Sequence, residues 1–411
     1  MSSPNTNQRH SVASLDGLAC RYAGQLLKDL GVAAPSMREQ APTPDPQRWQ
    51  RSGLAALTGE PEAAVTHCPV PIASLADGAL GALRLLAGRD ILPDYTGAGL
   101  LTVRAALSGL ARQGATSAGG SCRILPCNDG HLAVNLPRDS DWASVEAWLQ
   151  TPVASEWSAV AETLEGMSNQ ELIERARLLG LAVADAKPAP PGDTAWFELC
   201  HTVQAVSPQE RAPRVIDLSS LWAGPLCSLL LAACGADVVK VESTQRPDGA
   251  RLGEKAFFEF LNSEKAEQHL PLHIPAGREQ LLELIRSADI VIEASRPRAL
   301  RQMGISAEQL LESVPGLTWI SITGYGRREP QANWIAYGDD AGVAAGLSAA
   351  LYDTTGHWMF CGDAIADPFT GMHAARAALA AFKSGGGRLL SLSLVETLRH
   401  GIGFARELQV Q

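Results

Sequence analysis

The feature that most constrains the fold of this 411-residue chain is an alternation of strand and helix patterns after residue 213. A short apolar run, RVIDLSS, leads through a loop into an apolar helix pattern and then into a second run, ADVVKVE. Two further helix–strand pairs follow and end in DIVIEAS and LTWISITGYG. Strands that alternate with helices in this way predict a parallel, doubly wound sheet, where ligands bind at the carboxyl ends of the strands. The predicted fold class is α/β.

The chain before residue 213 has a different character. Apolar residues at three- and four-residue steps predict a helix within residues 11–32, and further helices are predicted over 96–112, 139–165 and 168–180. The run CRILPCNDGHLAVNL predicts two strands joined by an Asp-Gly turn at 129–130. The clearest linker is the Pro-rich AKPAPPGD. The predicted organisation is an N-terminal helix and linker (1–50), a half-copy with a smaller domain (51–185), a Pro-rich linker (186–212) and a Rossmann-like domain (213–411).

An imperfect internal repeat relates the two parts of the chain. Residues 22–32 are similar to residues 222–238, and residues 72–87 are similar to residues 365–380. In the second alignment Ser74 falls on Asp367, and Gly78 falls on Gly371. The first part is therefore expected to contain an eroded half-copy, although two Ala- and Leu-rich helices can also be alike by chance.

Composition excludes several classes of protein. The net charge of −10 argues against binding to nucleic acid or to an anionic membrane surface. The sequence has no run of about 18 apolar residues and its start lacks the apolar stretch of a signal peptide, which predicts a cytoplasmic protein. The eight cysteines are scattered, without a CxxC pair or clustered histidines, so no metal site is predicted.

A polar turn, GDAIADPFTG, precedes an Ala-rich amphipathic helix pattern and contains Asp367. An Asp at such a position often caps the helix that follows. A carboxylate beside a small residue such as Gly371 can also act as a nucleophile, because a reacting group can approach it closely. Both roles are open on spacing alone. Further acidic residues lie nearby at Asp339, Asp340 and Asp363, and His373 is expected to be a packed, hydrogen-bonded histidine.

Five motifs between residues 213 and 400 resemble, in order, those of the family III CoA-transferases (CaiB/BaiF), the formyl-CoA and carnitine CoA-transferase type. They are VIDLSSLWAGP, GADVVKVE, DIVIEASRPRALRQMGI, ISITGYGRREP and IADPFTGMHAA. The resemblance implies a Rossmann-like parallel sheet domain plus a smaller α+β domain. Residues 52–185 resemble the family's later portion, so the chain is similar to a rearranged subunit. Members typically form interlocked homodimers, which implies a homodimer here.

The resemblance implies transfer of coenzyme A between an acyl-CoA and a carboxylic acid, with CoA as a substrate and without a permanently bound cofactor. Asp367 matches the family's catalytic Asp in the pattern D-x-x-[ST]-G, and it would form an aspartyl anhydride and then an enzyme–CoA thioester. Arginines, lysines and backbone amides suit the CoA phosphates. The predicted CoA-binding residues lie on loops that follow strands: Trp222, Ala223, Gly224, Pro225, Arg246, Arg251, Lys265, Leu270, His273, Arg296, Pro297, Arg298, Gly324, Tyr325 and Gly326. Arg327 and Arg328 are further candidates.

The chain departs from the family pattern at several points. The segment that contacts adenine reads LPLH at 270–273, and Gly338 stands where related racemases have a catalytic histidine. The Gly-rich run SGGGR at 384–388 is expected to form a mobile lid. Two alternatives stay open: an acyl-CoA racemase, epimerase or lyase on the same scaffold, and a catalytically silent CoA-binding protein.

Overall fold

The computed structural model describes residues 15–33, 39–40, 45–192 and 194–410, so much of the predicted N-terminal segment lies outside the described residues. Strands β1–β12 are Leu15–Asp16, Glu39–Gln40, Cys122–Cys127, Gly130–Asn135, Ala182–Asp185, Glu198–Thr202, Arg214–Asp217, Asp237–Ser243, Ala266–Leu270, Ile290–Glu293, Thr318–Thr323 and Arg388–Ser393. Helices α1–α9 are Gly17–Asp29, Asp45–Arg51, Ile72–Ala87, Gly97–Leu100, Val103–Ser108, Asp139–Trp142, Val145–Leu149, Trp157–Leu164 and Asn169–Leu179. Helices α10–α18 are Ala223–Ala233, Lys255–Asn262, Pro275–Arg286, Pro297–Gln302, Ala307–Ser313, Gly338–Ala345, Leu347–Thr355, Ala366–Lys383 and Leu394–Val410.

A seven-stranded sheet forms the centre of the second half of the chain, in the order β6-β12-β11-β10-β7-β8-β9. Every neighbouring pair is parallel except β12–β6. The inner strands β10 and β11 are almost wholly buried, as expected of strands covered by helices on both faces. The α/β prediction is confirmed. Because β10, β7 and β8 are adjacent and parallel, the loops that follow them meet at one edge of the sheet.

The predicted linker over 186–212 contains a strand. Within it, β6 pairs antiparallel with β12, with His201 opposite Leu389. An antiparallel edge strand on an otherwise parallel sheet is common, because an edge position needs partners on one side only. The chain thus returns to the large sheet before its parallel core begins at β7.

A three-stranded antiparallel sheet, β3-β4-β5, forms the smaller unit. Cys127 pairs with Gly130, which closes the predicted hairpin and confirms it. The helices predicted over 96–112 and 139–165 are each interrupted. Between α4 and α5, the backbone of Thr102 is not helical. After α7, Gln150 adopts a left-handed conformation just before Pro152. Proline cannot continue a helix, because it lacks the N–H that the helix requires.

Two pairs of helices repeat the same crossing. A Cβ added at Gly78 of α3 would lie 2.6 Å from the carbonyl oxygen of Ala19 on α1. A Cβ added at Gly371 of α17 would lie 2.6 Å from the carbonyl oxygen of Ala223 on α10. The predicted correspondence of Gly78 with Gly371 is therefore confirmed by the packing of the two helix pairs.

The alignment of the partner helices is wrong by four residues. The sequence comparison set Tyr22 against Trp222, which pairs Ala23 with Ala223, whereas the structure makes Ala19 the counterpart of Ala223. Four residues are about one helical turn. Apolar patterns shifted by one turn look almost the same, because the apolar face recurs with that period.

Helices α1 and α3 share one hydrophobic core with the large sheet. Tyr22 and Ile72 are fully buried in the same cluster as Phe369 and Leu398. His373 on α17 is also buried, and its ring nitrogens lie 2.9 Å from the Tyr22 hydroxyl and 2.8 Å from the Phe369 carbonyl oxygen. The packed role expected of this histidine is confirmed. No helix within the described ranges is both long and apolar enough to span a membrane.

Candidate active site

Asp367 is the second residue of α17 and is partly exposed. The capping residue of this helix is Ile365, whose side chain makes no capping bond. The Asp367 carboxylate instead accepts a hydrogen bond from the backbone N–H of Gly338, at the start of α15. Asp367 therefore does not cap its own helix, and its carboxylate is held by a separate element.

Gly338 leaves the space that the Asp367 carboxylate fills. A Cβ at position 338 would lie 2.2 Å from the carbonyl oxygen of Ala364 and 2.5 Å from Oδ2 of Asp367. Any side chain here would displace the carboxylate or the turn before α17. This is the position where the racemase motif has its histidine, so the present arrangement of Asp367 excludes a histidine there.

Three buried aspartates surround this corner of the site. Oδ1 of Asp339 accepts the N–H of Ala364 at 2.7 Å, and Oδ1 of Asp340 accepts the Asn135 amide at 2.9 Å. Burial raises the pKa of Asp339 to about 6 and the pKa of Asp340 to about 7. Asp363 is the third. Among the described residues, no group of three or more His, Cys, Asp or Glu side chains is arranged to hold a metal ion.

Arg104 brings a positive charge from the smaller unit into this acidic corner. Its Nε donates to Oδ2 of Asp363 at 2.8 Å, and its Nη2 donates to Oδ1 of the same carboxylate. The guanidinium carbon lies 5.5 Å from the centre of the Trp222 ring. Sequence reasoning missed Arg104, because a single Arg on the short helix α5 carries no local sign of a partner 259 residues away.

The electrostatic environment of Asp367 results from these neighbours. Burial raises the pKa of Asp367 to about 7, and the charges of Asp339 and Asp363 act in the same direction. Arg104 and the Gly338 N–H act in the opposite direction. Asp367 is consequently a carboxyl group that gains and loses its proton near neutral pH, the range in which a catalytic carboxylate is useful.

The start of α10 lies against the first turns of α17. Trp222 is buried, with its ring edge-on to Phe257 at 5.2 Å between centroids. The Ala223 carbonyl touches Gly371, one helical turn beyond Asp367. A Cβ at Gly224 would lie 2.2 Å from the Ser219 side chain, and the Pro225 carbonyl accepts a hydrogen bond from a buried lysine. Of the four predicted residues from Trp222 to Pro225, Ala223 therefore packs directly on α17, one turn from Asp367.

The structure also brings together three of the predicted arginines. Burial lowers the pKa of Arg296, and the nearby positive charges of Arg298, Arg138 and Arg246 lower it further. We call these four residues the basic cluster. Arg246 follows β8, and Arg296 and Arg298 flank Pro297 after β10. Arg138 comes from the smaller unit, where its guanidinium is also paired with Asp141 at 2.6 Å. Like charges gathered in this way favour an anionic ligand.

Other predicted cationic residues are bound to protein groups. The Lys265 ammonium is fully buried and lies 3.3 Å from Asp217 Oδ2, 2.9 Å from the Pro225 carbonyl oxygen and 2.9 Å from Asn262 Oδ1. Arg251 is held by Glu242 and Glu267, both at 2.7 Å. The structure does not bring either residue into the basic cluster. The same holds for Arg327, in a buried ion pair with Glu293, and for Arg328, which pairs with Glu198.

The remaining predicted contacts lie at or after the ends of two different strands, β9 and β11. Leu270 is buried in a separate core cluster on the other face of the large sheet, and His273 is exposed in the turn that follows β9. Gly324 packs so closely on Ala336 that a Cβ would lie 2.8 Å from its methyl carbon. The Tyr325 ring lies 5.5 Å from that of Trp334, and the Gly326 N–H donates to the Thr323 hydroxyl at 3.0 Å.

The prediction of a mobile glycine-rich lid at residues 384–388 is wrong. The N–H of Val206 donates to the carbonyl of Gly385, and the N–H of Gly387 donates to the carbonyl of Leu317. These bonds tie the Gly-rich turn to neighbouring segments. The turn precedes β12 and therefore lies at the amino end of that strand, whereas Asp367 and the basic cluster lie beyond the carboxyl ends of the parallel strands.

Residues 213–405 match the family model described as CoA-transferase family III. An acyl-CoA transferase of Fusarium pseudograminearum is 31% identical over 203 residues, which cover 45% of this chain and 44% of the relative. A formyl-CoA:oxalate CoA-transferase of Escherichia coli is 32% identical over 200 residues, 45% of this chain and 47% of the relative. Among solved structures, a CAIB/BAIF family protein from Brucella suis is 27% identical with a TM-score of 0.42, over 47% of this chain and 55% of that one.

The matched region contains six of the seven strands of the large sheet, Asp367 and three of the four residues of the basic cluster. The match to CoA-transferase family III covers residues 213–405, just under half of the chain. The chain spans about half the length of the curated relatives it matches. Arg104, Asn135 and Arg138, which complete the site, come from outside the matched region.

Proposed function

We propose that the chain transfers coenzyme A from an acyl-CoA to a carboxylic acid, with Asp367 as the nucleophile. The observation that carries the proposal is the partly exposed Asp367 carboxylate held by the Gly338 N–H, within the region that matches CoA-transferase family III. A carboxylate suits this reaction, because the anhydride that it forms with an acyl group transfers that group readily in either direction.

The proposed reaction has two exchanges on Asp367. Its carboxylate oxygen attacks the thioester carbonyl of the acyl-CoA, forming a mixed anhydride as the C–S bond breaks and CoA leaves as thiolate. The thiolate attacks the Asp367 carbonyl, forming an enzyme–CoA thioester and releasing the donor carboxylate. The acceptor acid then reverses these steps. The Gly338 N–H, which binds one Asp367 oxygen, stabilises negative charge on that oxygen as each nucleophile adds.

The basic cluster supplies a binding site for the phosphates of CoA in this proposal. Three of its four arginines follow the carboxyl ends of β8 and β10, while the start of α10 follows β7, the strand between them. A CoA with its phosphates at the basic cluster would direct its pantetheine arm along this edge toward Trp222 and Asp367. The homodimer stays a prediction of the family resemblance, and the cytoplasmic location stays a prediction of the apolar pattern of the sequence.

Intact-protein mass spectrometry with a panel of acyl-CoAs, including formyl-CoA, tests the proposal. We expect a CoA adduct that hydroxylamine removes, and that is absent from Asp367→Ala. Asp353→Ala, which removes an exposed carboxylate from α16, is the matched control and should retain the adduct. CoA binding without an adduct would support the silent protein, and exchange of the α-proton of a 2-methylacyl-CoA without CoA exchange would support the epimerase.

A further inference from the structure

We infer that Arg104 binds the carboxylate of the acid substrate beside Asp367, an inference that rests on the proposed function. The acid must bring an anionic carboxylate to the Asp367 carbonyl. The site already holds the buried Asp339 and Asp363, which repel such an anion. A cation is therefore needed at this point, and the positive charge of Arg104 acts on Asp367.

The geometry of Arg104 leaves part of its guanidinium available. Asp363 occupies Nε and Nη2, while Nη1 has no hydrogen-bond partner within the described part of the chain. The side chain is 29% exposed, whereas the Asp363 side chain is fully buried. The buried Asp363 carboxylate thus fixes the Nε–Nη2 edge of the Arg104 guanidinium. A planar guanidinium can bind a second carboxylate along another edge, because its N–H groups form a rigid fork.

Trp222 lies close to the same guanidinium. The ring centre lies 5.5 Å from the guanidinium carbon, and Trp222 stands at the start of α10, the helix that packs on α17. A cation–π contact and a bidentate carboxylate pair together preorganise an Arg that would otherwise be mobile. Arg104 is thus held between the predicted thiol end of CoA and the reactive carboxylate.

In the transfer step, Arg104 would bind the acceptor acid while a carboxylate oxygen of that acid attacks the thioester carbonyl formed on Asp367. A C–O bond forms, the C–S bond breaks and CoA leaves as thiolate. The thiolate then attacks the acceptor carbonyl of the anhydride, a new C–S bond forms, and Asp367 returns as a carboxylate. Arg104 acts on the anionic acid in this sequence, so a neutral nucleophile would not need it.

The experiment compares an anionic and a neutral nucleophile on the same intermediate. Enzyme–CoA thioester is isolated and then discharged with acetate, succinate or oxalate in one series and with hydroxylamine in the other. Because the thioester is isolated first, differences between variants in the rate of its formation do not affect the comparison. In Arg104→Gln we expect the ratio of acid to hydroxylamine discharge rates to fall about 10- to 100-fold, the range for loss of a charged hydrogen bond. Arg104→Lys should restore part of the ratio.

Asp363 requires a second variant, because Arg104→Gln leaves its buried carboxylate unpaired. The double variant Arg104→Gln, Asp363→Asn replaces the ion pair with neutral groups of similar shape, and we expect the same fall in the ratio. Arg286→Gln, which removes an exposed paired Arg on α12, should leave it unchanged. If the ratio of acid to hydroxylamine discharge rates is unchanged in the double variant, the inference about Arg104 is overturned and the proposed function is not. Failure of the parent protein to form a thioester with any donor contradicts the proposed function and the inference with it.

Discussion

The carbonyl oxygen of Ala223 lies where only a glycine at position 371 leaves room for it. A Cβ at Gly371 would come within 2.6 Å of that oxygen, closer than side-chain atoms approach a backbone. The contact sets the distance between α10 and α17. It therefore also sets the distance between Asp367, one turn earlier on α17, and the residues that begin α10.

Gly371→Ala is expected to destabilise the protein by about 1–3 kcal/mol, the usual cost of an added methyl group in a tightly packed core. The same change at Gly78 should cost a similar amount, because its Cβ would meet the Ala19 carbonyl oxygen at the same distance of 2.6 Å. Denaturant unfolding measures both. Thioester formation by the folded protein should be slowed more by Gly371→Ala, because only α17 carries Asp367.

Gly166→Ala is the matched control for the glycine variants. Gly166 has no atom within 4 Å of an added Cβ and no positive φ. Its substitution should leave the free energy of unfolding within about 0.5 kcal/mol of the parent, as for most surface changes. Equal stability of all three variants would contradict the close-packed crossing.

Lys265→Met is expected to destabilise the fold by about 3–5 kcal/mol, because it leaves part of a buried ion pair uncompensated. The Lys265 ammonium is fully buried, and burial lowers its pKa to about 8. Denaturant unfolding gives the loss, and CoA titration of the folded variant should show an affinity near that of the parent. Lys255→Met on α11 removes an exposed lysine and serves as the control. A stable variant with much weaker CoA binding would instead assign Lys265 to the phosphates.

The large sheet and the position of Asp367 could be predicted from the sequence, because both rest on local patterns. The strand–helix alternation after residue 213 predicts a parallel sheet, and the turn before the Ala-rich helix places Asp367 at its start. The Gly78–Gly371 correspondence was also predictable, since a close helix crossing requires a small residue in each copy. Each of these features depends on residues close together in the chain.

The partners of Asp367 could not be predicted, because they arrive through tertiary packing. Arg104 and Asp363 are 259 residues apart, and no periodicity relates them. Lys265 was predicted to bind CoA because a Lys in a loop resembles a phosphate ligand, although Asp217 and the Pro225 carbonyl bind it in the interior. Burial decides between these roles, and sequence does not report the burial of a single long side chain.

Arg296→Gln is expected to weaken CoA binding about tenfold or more, because one charged contact to a phosphate is lost. Its effect on an acylated pantetheine that lacks the nucleotide should be small, since that ligand has no phosphate to place at the basic cluster. Calorimetric titration of both ligands measures the difference. Arg301 lies on helix α13, which Arg296 directly precedes, but it pairs with Glu308, so Arg301→Gln is the matched control. Equal weakening of both ligands would contradict a phosphate role for Arg296.

Asp340→Asn is expected to reduce the loss of stability that accompanies rising pH. Burial raises the pKa of Asp340 from 3.8 to about 7, so the folded protein holds a proton that the unfolded chain releases between about pH 4 and pH 7. Stability from this group therefore falls as the pH rises through that window. Between pH 4 and pH 8, the free energy of unfolding of the variant should rise by at least about 1 kcal/mol relative to that of the parent. Denaturant unfolding at both pH values measures this gain, and exposed Asp353→Asn should show none.

The rate of thioester formation is expected to rise with pH and to level off above about pH 7. Asp367 attacks only as a carboxylate, and burial with the neighbouring charges raises its pKa to about 7, so the reactive form is depleted in acid. Below that pH the rate should fall about tenfold per unit. Because Asp339 and Asp363 contribute to the raised pKa, Asp339→Asn should move the midpoint to lower pH, provided that the variant keeps the Ala364 hydrogen bond. Single-turnover loading followed by mass spectrometry between pH 5 and pH 9 measures the midpoint. A rate independent of pH over this range would contradict attack by Asp367 in its present environment.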